Sequence, residues 1–306
     1  MSVVHCLLPK AGLGNQLFPL MKAYTFGVLN NLPVIVTGYH QVKIGPYLRR
    51  EKTKRNYHNN FSFEKSIWGE WLDRRRVRDI NFKIIGESPL ERIVNLEENV
   101  IYRYSQLPHW TDLFAGLREH RTLVKEILTN KLGEKIKKKV QELKSPCIGV
   151  HIRMGDFKKL KEGEDFRKVG ATRTEESYFI EKINQIRQIN GSCLPVAVFT
   201  DGYRSEFSQL FNLPEVKLVE GNPDIVDLIH LSKSKVIVAS ANSTFSYWAG
   251  FLSEAPIILH PDHLHAALRP ANINTTSYEG PIPHNHLPAL LVQNIQSILF
   301  EQNKTS

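Results

Sequence analysis

An imidazole, a guanidinium and a carboxylate follow an apolar run in Cys147-Ile148-Gly149-Val150-His151-Ile152-Arg153-Met154-Gly155-Asp156. Arg153 presents a planar fork of donors that can grip a phosphate at two points and stays charged at any working pH. The other use of the same group is a structural ion pair with Asp156. Gly155 lets the chain turn sharply between them. His151, Asp156 and Asp201 are each able to accept a proton, and the sequence does not choose among them.

A second segment, Ser240-Ala241-Asn242-Ser243-Thr244-Phe245-Ser246, opens a helix by its pattern. A helix start bares backbone N–H groups and the positive end of the helix dipole, which suits a phosphate. The plainer use of Asn242 or Ser243 is as an N-cap, with a contribution of ~1 kcal/mol. A third segment is Gly12-Leu13-Gly14-Asn15-Gln16, where Leu17 stands in place of the last glycine of a dinucleotide fingerprint. It serves either as a tight turn or as a helix opening with donors for an anion or a sugar hydroxyl. A fourth is Thr200-Asp201-Gly202.

All four follow predicted strands. The pattern predicts strands at 3–8, 33–37, 82–85, 100–104, 147–152, 194–200, 216–219, 235–239 and 256–259. It predicts helices at 15–30, 63–75, 174–190, 204–211, 224–232, 243–252 and 287–302, and two helical pieces in 118–143 divided near Gly133. Residues 38–60 read as an irregular basic loop. Lys144-Ser145-Pro146 marks a junction. Strands alternating with helices imply parallel sheets covered by helices. Ligands of such sheets bind beyond the carboxyl ends of the strands, where these polar segments lie.

The 306 residues carry a net charge of +9, which favours anionic partners. The excess lies in Lys43 to Arg55, Arg74 to Arg78 and Lys135 to Lys139, the last on the outer face of an amphipathic helix. Aromatic residues do not interleave with these clusters, which argues against nucleic acid. No apolar stretch reaches the ~18 residues of a membrane span, and the N-terminus lacks a basic leader. Cys6, Cys147 and Cys193 sit in strand-like contexts without CxxC spacing, so buried free thiols and a reducing, cytoplasmic compartment are expected. No Asp-x-Asp and no metal-ligand spacing occurs. A bound diphosphate would therefore be neutralised by protein cations and amides, with no obligatory metal and no other cofactor.

Taken together, "GLGNQLF" at 12–18, "GVHIRMGDF" at 149–157, "FTDG" at 199–202 and "SANSTFSYWAGFL" at 240–252 resemble glycosyltransferase family 11, the α-1,2-fucosyltransferases. The resemblance implies an α/β, GT-B-like fold with two Rossmann-like domains facing a cleft. Residues 1–143 would be the acceptor-side domain, 144–286 the GDP-fucose-binding domain, and 287–306 a C-terminal helix. It implies inverting transfer from GDP-fucose to a β-galactoside-containing glycan. Arg153 would hold the β-phosphate, with His151, Asn15 and Asp156 lining the cleft. Ser243, Thr244 and Phe245, beside Asn242, would contact the diphosphate or nucleoside, and Asp201 and Asp227 the GDP. Gly12 and Gly14 belong to the matching glycine loop. Met154 stands where the family often has a second arginine, Phe157 where it often has tyrosine, and Tyr247-Trp248 replaces a Trp-Trp pair. The loop at 43–55 offers peripheral contact with an anionic membrane carrying a lipid-linked glycan. A transferase using another nucleotide sugar is the alternative reading.

Overall fold

The computed structural model describes residues 1–41, 44–48, 52, 54–55, 57–79, 81–161, 164–165, 171–262, 265–283 and 286–302. It divides into two compact units. One comprises Met1–Lys43 with Arg55–Gln141, and the other Ile44–Lys54 with Glu142–Ser306.

The first unit begins with β1 (Val3–Leu7), α1 (Leu13–Leu29) and β2 (Val34–Thr37). The short helix α2 (Gly45–Leu48) follows, in a stretch expected to be irregular, and belongs to the second unit. Lys52 in the same segment pairs with Glu220 at 2.7 Å. The first unit resumes with α3 (Ile67–Arg76), β3 (Lys83–Ile85), β4 (Val100–Tyr104), α4 (Arg121–Lys131) and α5 (Glu134–Gln141). α3 starts four residues later than the periodicity suggests because Ser66 caps it, its hydroxyl accepting the Gly69 N–H at 3.2 Å. The sheet has the order β2-β1-β4-β3 and is parallel throughout. Val3, Ile35, Ile101 and Val77 form a core on one face. α1 buries Leu17, Leu20, Met21 and Tyr24, the side its spacing marks as apolar.

The second unit contains β5 (Ile148–Ile152), α6 (Glu176–Asn190), β6 (Val196–Thr200), β7 (Val216–Leu218), α7 (Asp224–Ser232), β8 (Val236–Val238), α8 (Thr244–Leu252) and β9 (Ile257–Ile258). It ends with α9 (Ala271–Asn274), β10 (Glu279–Gly280) and α10 (Ala289–Gln302). α9 and β10 are too short to leave a periodic signal. The helix expected at 204–211 forms only two 3-10 turns, Arg204–Glu206 and Leu210–Asn212. The Leu210 N–H donates to the Glu176 carboxylate at 2.7 Å instead of to a carbonyl one turn back.

The six strands run parallel in the order β10-β9-β8-β5-β6-β7. Counted from β5, this is the 3-2-1-4-5-6 order of a Rossmann sheet. The strand order therefore reverses between β5 and β8. Ile148, Val150 and Ile152 face a core completed by Phe179, Ile183 and Ile186 of α6 and Leu291, Ile295 and Ile298 of α10. Gly149 and His151 face the other way. A Cβ at Gly149 would lie 2.1 Å from the Ser234 hydroxyl and 2.8 Å from Leu231 Cδ1, so only glycine lets α7 seat this closely on the strand. Both units are thus α/β units on parallel sheets, the GT-B-like class.

Two sequence expectations need adjustment. Cys6 is buried, but Cys147 is only partly buried and Cys193 is exposed, because β6 begins at Val196 and leaves Cys193 outside the strand. Of the basic loop at 43–55, residues 44–48, 52, 54 and 55 are described, while Lys43, Arg49 and Arg50 lie outside the described residues. No helix among the described residues is long and apolar enough to cross a membrane.

Candidate active site

The reversal between β5 and β8 is where a sheet of this topology opens a crevice at its carboxyl edge. His151 is the fourth residue of β5 and only 4% exposed. Its Nδ1 lies 2.8 Å from the Ser246 hydroxyl and 3.4 Å from the Ser243 hydroxyl, both on α8 or its cap. Its ring stacks on Phe245, with centroids 4.6 Å apart and planes 21° off parallel. Burial, with a smaller contribution from the Arg153 charge, pushes this imidazole down to about 3. It is neutral through the physiological range and a weak base.

Arg153 begins the loop beyond β5. Its backbone N–H donates to the Ser240 hydroxyl at 2.9 Å, tying the ends of β5 and β8 together. The guanidinium donates through Nη1 to Asp201 Oδ2, and through Nη2 to Asp156 Oδ1 at 2.7 Å. It also lies 5.4 Å from the centre of the Phe157 ring. The second Asp201 oxygen accepts the Met154 N–H at 2.7 Å. Asp201 therefore uses both oxygens to hold this loop and its arginine. The ion pair with Asp156 that the spacing allows is present, and Asp201, 48 residues away, adds a second carboxylate. The Arg153 side chain is 19% exposed, so it still reaches the surface, and Asp156 is 41% exposed. With two of its five N–H groups so engaged, the fork keeps others for a ligand.

Ser243 does stand at the N-cap of α8, yet its side chain makes no cap bond and turns to His151 instead. Asn242 takes φ 57°, a left-handed conformation that asparagine tolerates better than most residues. The Tyr247 hydroxyl accepts its N–H at 2.9 Å, and Thr174 accepts the Ala241 N–H at 3.0 Å. The first backbone bond back into α8 is from Tyr247 to Ser243. Among the described residues the N–H groups of Thr244, Phe245 and Ser246 find no acceptor, so the first turn presents three bare amides.

His151 thus contacts Ser243 and Phe245, and Arg153, two residues on, contacts Asp156 and Asp201, with Asn242 and Thr244 adjoining the first group in the chain. Asp227 is not among them. It lies in the first turn of α7, past the edge strand β7, and accepts a hydrogen bond from Asn222 at 3.0 Å. Gly12, Gly14 and Asn15 belong to the first unit, at the N-cap, second and third residues of α1. The Leu13 N–H donates to the Tyr57 hydroxyl at 2.9 Å. Gly12 has φ −65°, open to any residue, and a Cβ there would meet nothing closer than that hydroxyl at 3.9 Å. Neither backbone nor packing requires glycine at this position. The sequence reading did not single out Ser240, Thr174 and Phe157 as supports. Ser240 stood in the quoted hydroxyl run, but Thr174 carried no signal. No group of three or more His, Cys, Asp or Glu among the described residues is arranged to hold a metal ion.

A family model described as Glycosyl transferase family 11 matches residues 94–267, more than half of the chain. The chain belongs to glycosyl transferase family 11. This is the fucosyltransferase family that the four sequence segments resemble. Three of those segments lie inside the match, and "GLGNQLF" lies before it. No curated protein sequence matches the chain. Among solved structures, the family 11 chain is similar to the fucosyltransferase NodZ from Bradyrhizobium, at 14% identity and TM-score 0.52, over 86% of this chain and 97% of that one. A second structure, NodZ alpha-1,6-fucosyltransferase co-crystallized with GDP, is similar at 14% identity and TM-score 0.50, over 85% and 95%. At that identity the likeness is one of fold.

Proposed function

We propose that this family 11 enzyme transfers L-fucose from GDP-fucose to a hydroxyl of a β-galactoside-containing glycan, galactose O2, with inversion and without an obligatory metal. The observation that carries this reading is the pairing at one switch point of a positioned guanidinium, Arg153, with the bare first turn of α8. A diphosphate needs such a set of donors. GDP as the nucleotide draws support from the NodZ structure and from the family. The α-1,2 linkage rests on the sequence resemblance alone, since NodZ is described as an α-1,6 enzyme.

The bond from fucose C1 to the β-phosphate oxygen breaks, and its electron pair leaves with GDP. The acceptor oxygen forms the new bond to C1 from the opposite face, and its proton passes to a base. Charge grows on the phosphate while the sugar becomes oxocarbenium-like. Arg153 and the α8 amides, held in place beforehand, stabilise that growing charge more than the ground state. Of the three proton acceptors, His151 is too weak a base, and Asp156 is the more exposed carboxylate, 41% against 10% for Asp201. We assign the proton to Asp156. The second unit would bind the donor, with Ser243, Thr244 and Phe245 at the diphosphate or nucleoside. The first unit would present the acceptor, near Gly12, Gly14 and Asn15.

The test is incubation of the purified chain with GDP-fucose and a panel of β-galactosides, with and without EDTA, followed by linkage analysis. An α-1,2-fucosylated product formed equally in both conditions is expected. Thermal stabilisation by UDP and not by GDP would overturn the donor assignment, and another linkage would overturn the acceptor position.

A further inference from the structure

α3 is amphipathic in the reverse sense. Its acidic side faces inward, where Glu70 is 2% exposed and accepts the backbone N–H groups of Gly38 at 2.7 Å and His40 at 3.1 Å. Arg74 pairs with Glu70 and Lys65 with Asp73 at 2.6 Å, so the buried charges are compensated. These bonds anchor the helix by its polar face and turn its apolar face to solvent. Ile67 is 71% exposed, Trp68 74%, Trp71 44% and Leu72 60%.

At ~100° per residue these four positions and Arg75 form one continuous arc of about 140°, with Arg74 and Arg76 at its two borders. The indoles of Trp68 and Trp71 lie edge to face at 6.0 Å. The Arg75 guanidinium stacks over Trp71 at 4.7 Å. Arg75, Arg76 and Arg78 are exposed. The arc itself carries no acidic residue.

We propose that α3 docks the protein on an anionic phospholipid bilayer, lying in the plane of the surface with Trp68 and Trp71 at the boundary between headgroups and acyl chains. Indoles favour that depth because the ring is apolar and its N–H still meets water. The arginines beside them supply charge complementary to acidic headgroups, and their stems run along the apolar surface. The size of the patch favours a bilayer over a second copy of the chain. Four side chains expose on the order of 500 Å2, taking up to ~250 Å2 for each indole. Each partner of a stable protein interface contributes ~800 Å2. An amphipathic helix needs only its apolar arc and nearby cations to bind a bilayer. The proposal rests on α3 alone and does not depend on which sugar is transferred.

The experiment is flotation of the full chain with phosphatidylcholine vesicles, with and without phosphatidylglycerol, at low and high salt. The chain is expected to float with the anionic vesicles, less so at high salt, and its tryptophan emission to shift to the blue. The double variant Trp68→Ser/Trp71→Ser should lose at least about tenfold in vesicle partitioning. Arg75→Gln, Arg76→Gln and Arg78→Gln should each cost about fivefold on anionic vesicles. All these positions are exposed, so unchanged thermal unfolding checks that the variants fold. Failure to float with anionic vesicles overturns the proposal, as does undiminished flotation of the double variant. A dimer that the tryptophan substitutions dissolve, without vesicle binding, would identify a second copy as the occupant and overturn it as well.

Discussion

Asp201 holds Arg153 by its guanidinium and the next residue, Met154, by its backbone N–H, so one carboxylate at the end of β6 sets the loop beyond β5. The two strands are neighbours in the sheet, with His151 opposite Phe199 and Ile152 opposite Thr200. A contact 48 residues apart in the chain thus follows from register. It also explains how a charged side chain can be kept partly exposed yet oriented.

Arg153→Ala and Arg153→Lys should both lower kcat/KM for fucosyl transfer by about 10²–10³-fold, because an ammonium cannot reproduce the fork. Steady-state kinetics with GDP-fucose measure this. A lysine variant that works at near-normal rate would remove Arg153 from its assigned role.

Asp201→Asn should act through Arg153. The amide oxygen can still accept the Met154 N–H, but the charge that holds the guanidinium is gone. We expect kcat to fall about ten- to a hundredfold, with folding retained as judged by circular dichroism. An unchanged kcat would mean that Asp156 alone orients the arginine.

Asp156→Asn should remove the base and with it the acid limb of the rate–pH profile, at a cost of about 10²-fold or more in kcat. If the variant keeps the wild-type pH profile, the proton goes elsewhere and Asp156 serves only as a partner of Arg153.

Acid should destabilise the fold through two buried imidazoles. His5 is pushed down to about 4, chiefly by burial and then by Arg103 and Arg74, and His151 to about 3. Below an ordinary histidine value of about 6.5 the unfolded chain takes up protons that the folded chain refuses. Their contribution is therefore complete above that pH and declines as pH falls toward about 4 for His5 and about 3 for His151. The loss should reach several kcal/mol in total, read as a falling urea midpoint between neutral and mildly acidic pH. His151→Phe should flatten part of that slope.

Gly149→Ala should destabilise the second unit by about 1–3 kcal/mol or more, since its Cβ would enter the Ser234 and Leu231 side chains of the α7 region. Chemical denaturation measures it. Pairing it with Ser234→Gly should recover part of the loss, because the 2.1 Å clash is with the Ser234 hydroxyl.

Much of the fold was legible because strands and helices leave periodic traces about as long as themselves. Val196–Thr200 and Thr244–Leu252 were both found within two residues of their bounds. α9 and β10, at four and two residues, were not. Arg269 shows a different limit. It is fully buried and donates to Asn274, Glu279, Ser277, Tyr278 and the Ala255 carbonyl, yet nothing near it in the chain marks it as a hub. α3 was anticipated as a helix, but its reversed orientation was not. The pattern shows two faces, and only the acceptor needs of Gly38 and His40 decide which one turns inward.

By itself the sequence determined the alternation of strands and helices and the residue types clustered at the strand ends. Those are local properties of side-chain periodicity and turn chemistry. Only the tertiary structure decided that β5 lies between β6 and β8, that Ser243 faces an imidazole instead of capping its helix, and that two distant carboxylates share Arg153. Strand order and hydrogen-bond partners arise from long-range pairing, where several acceptors of the same kind compete and geometry alone selects between them.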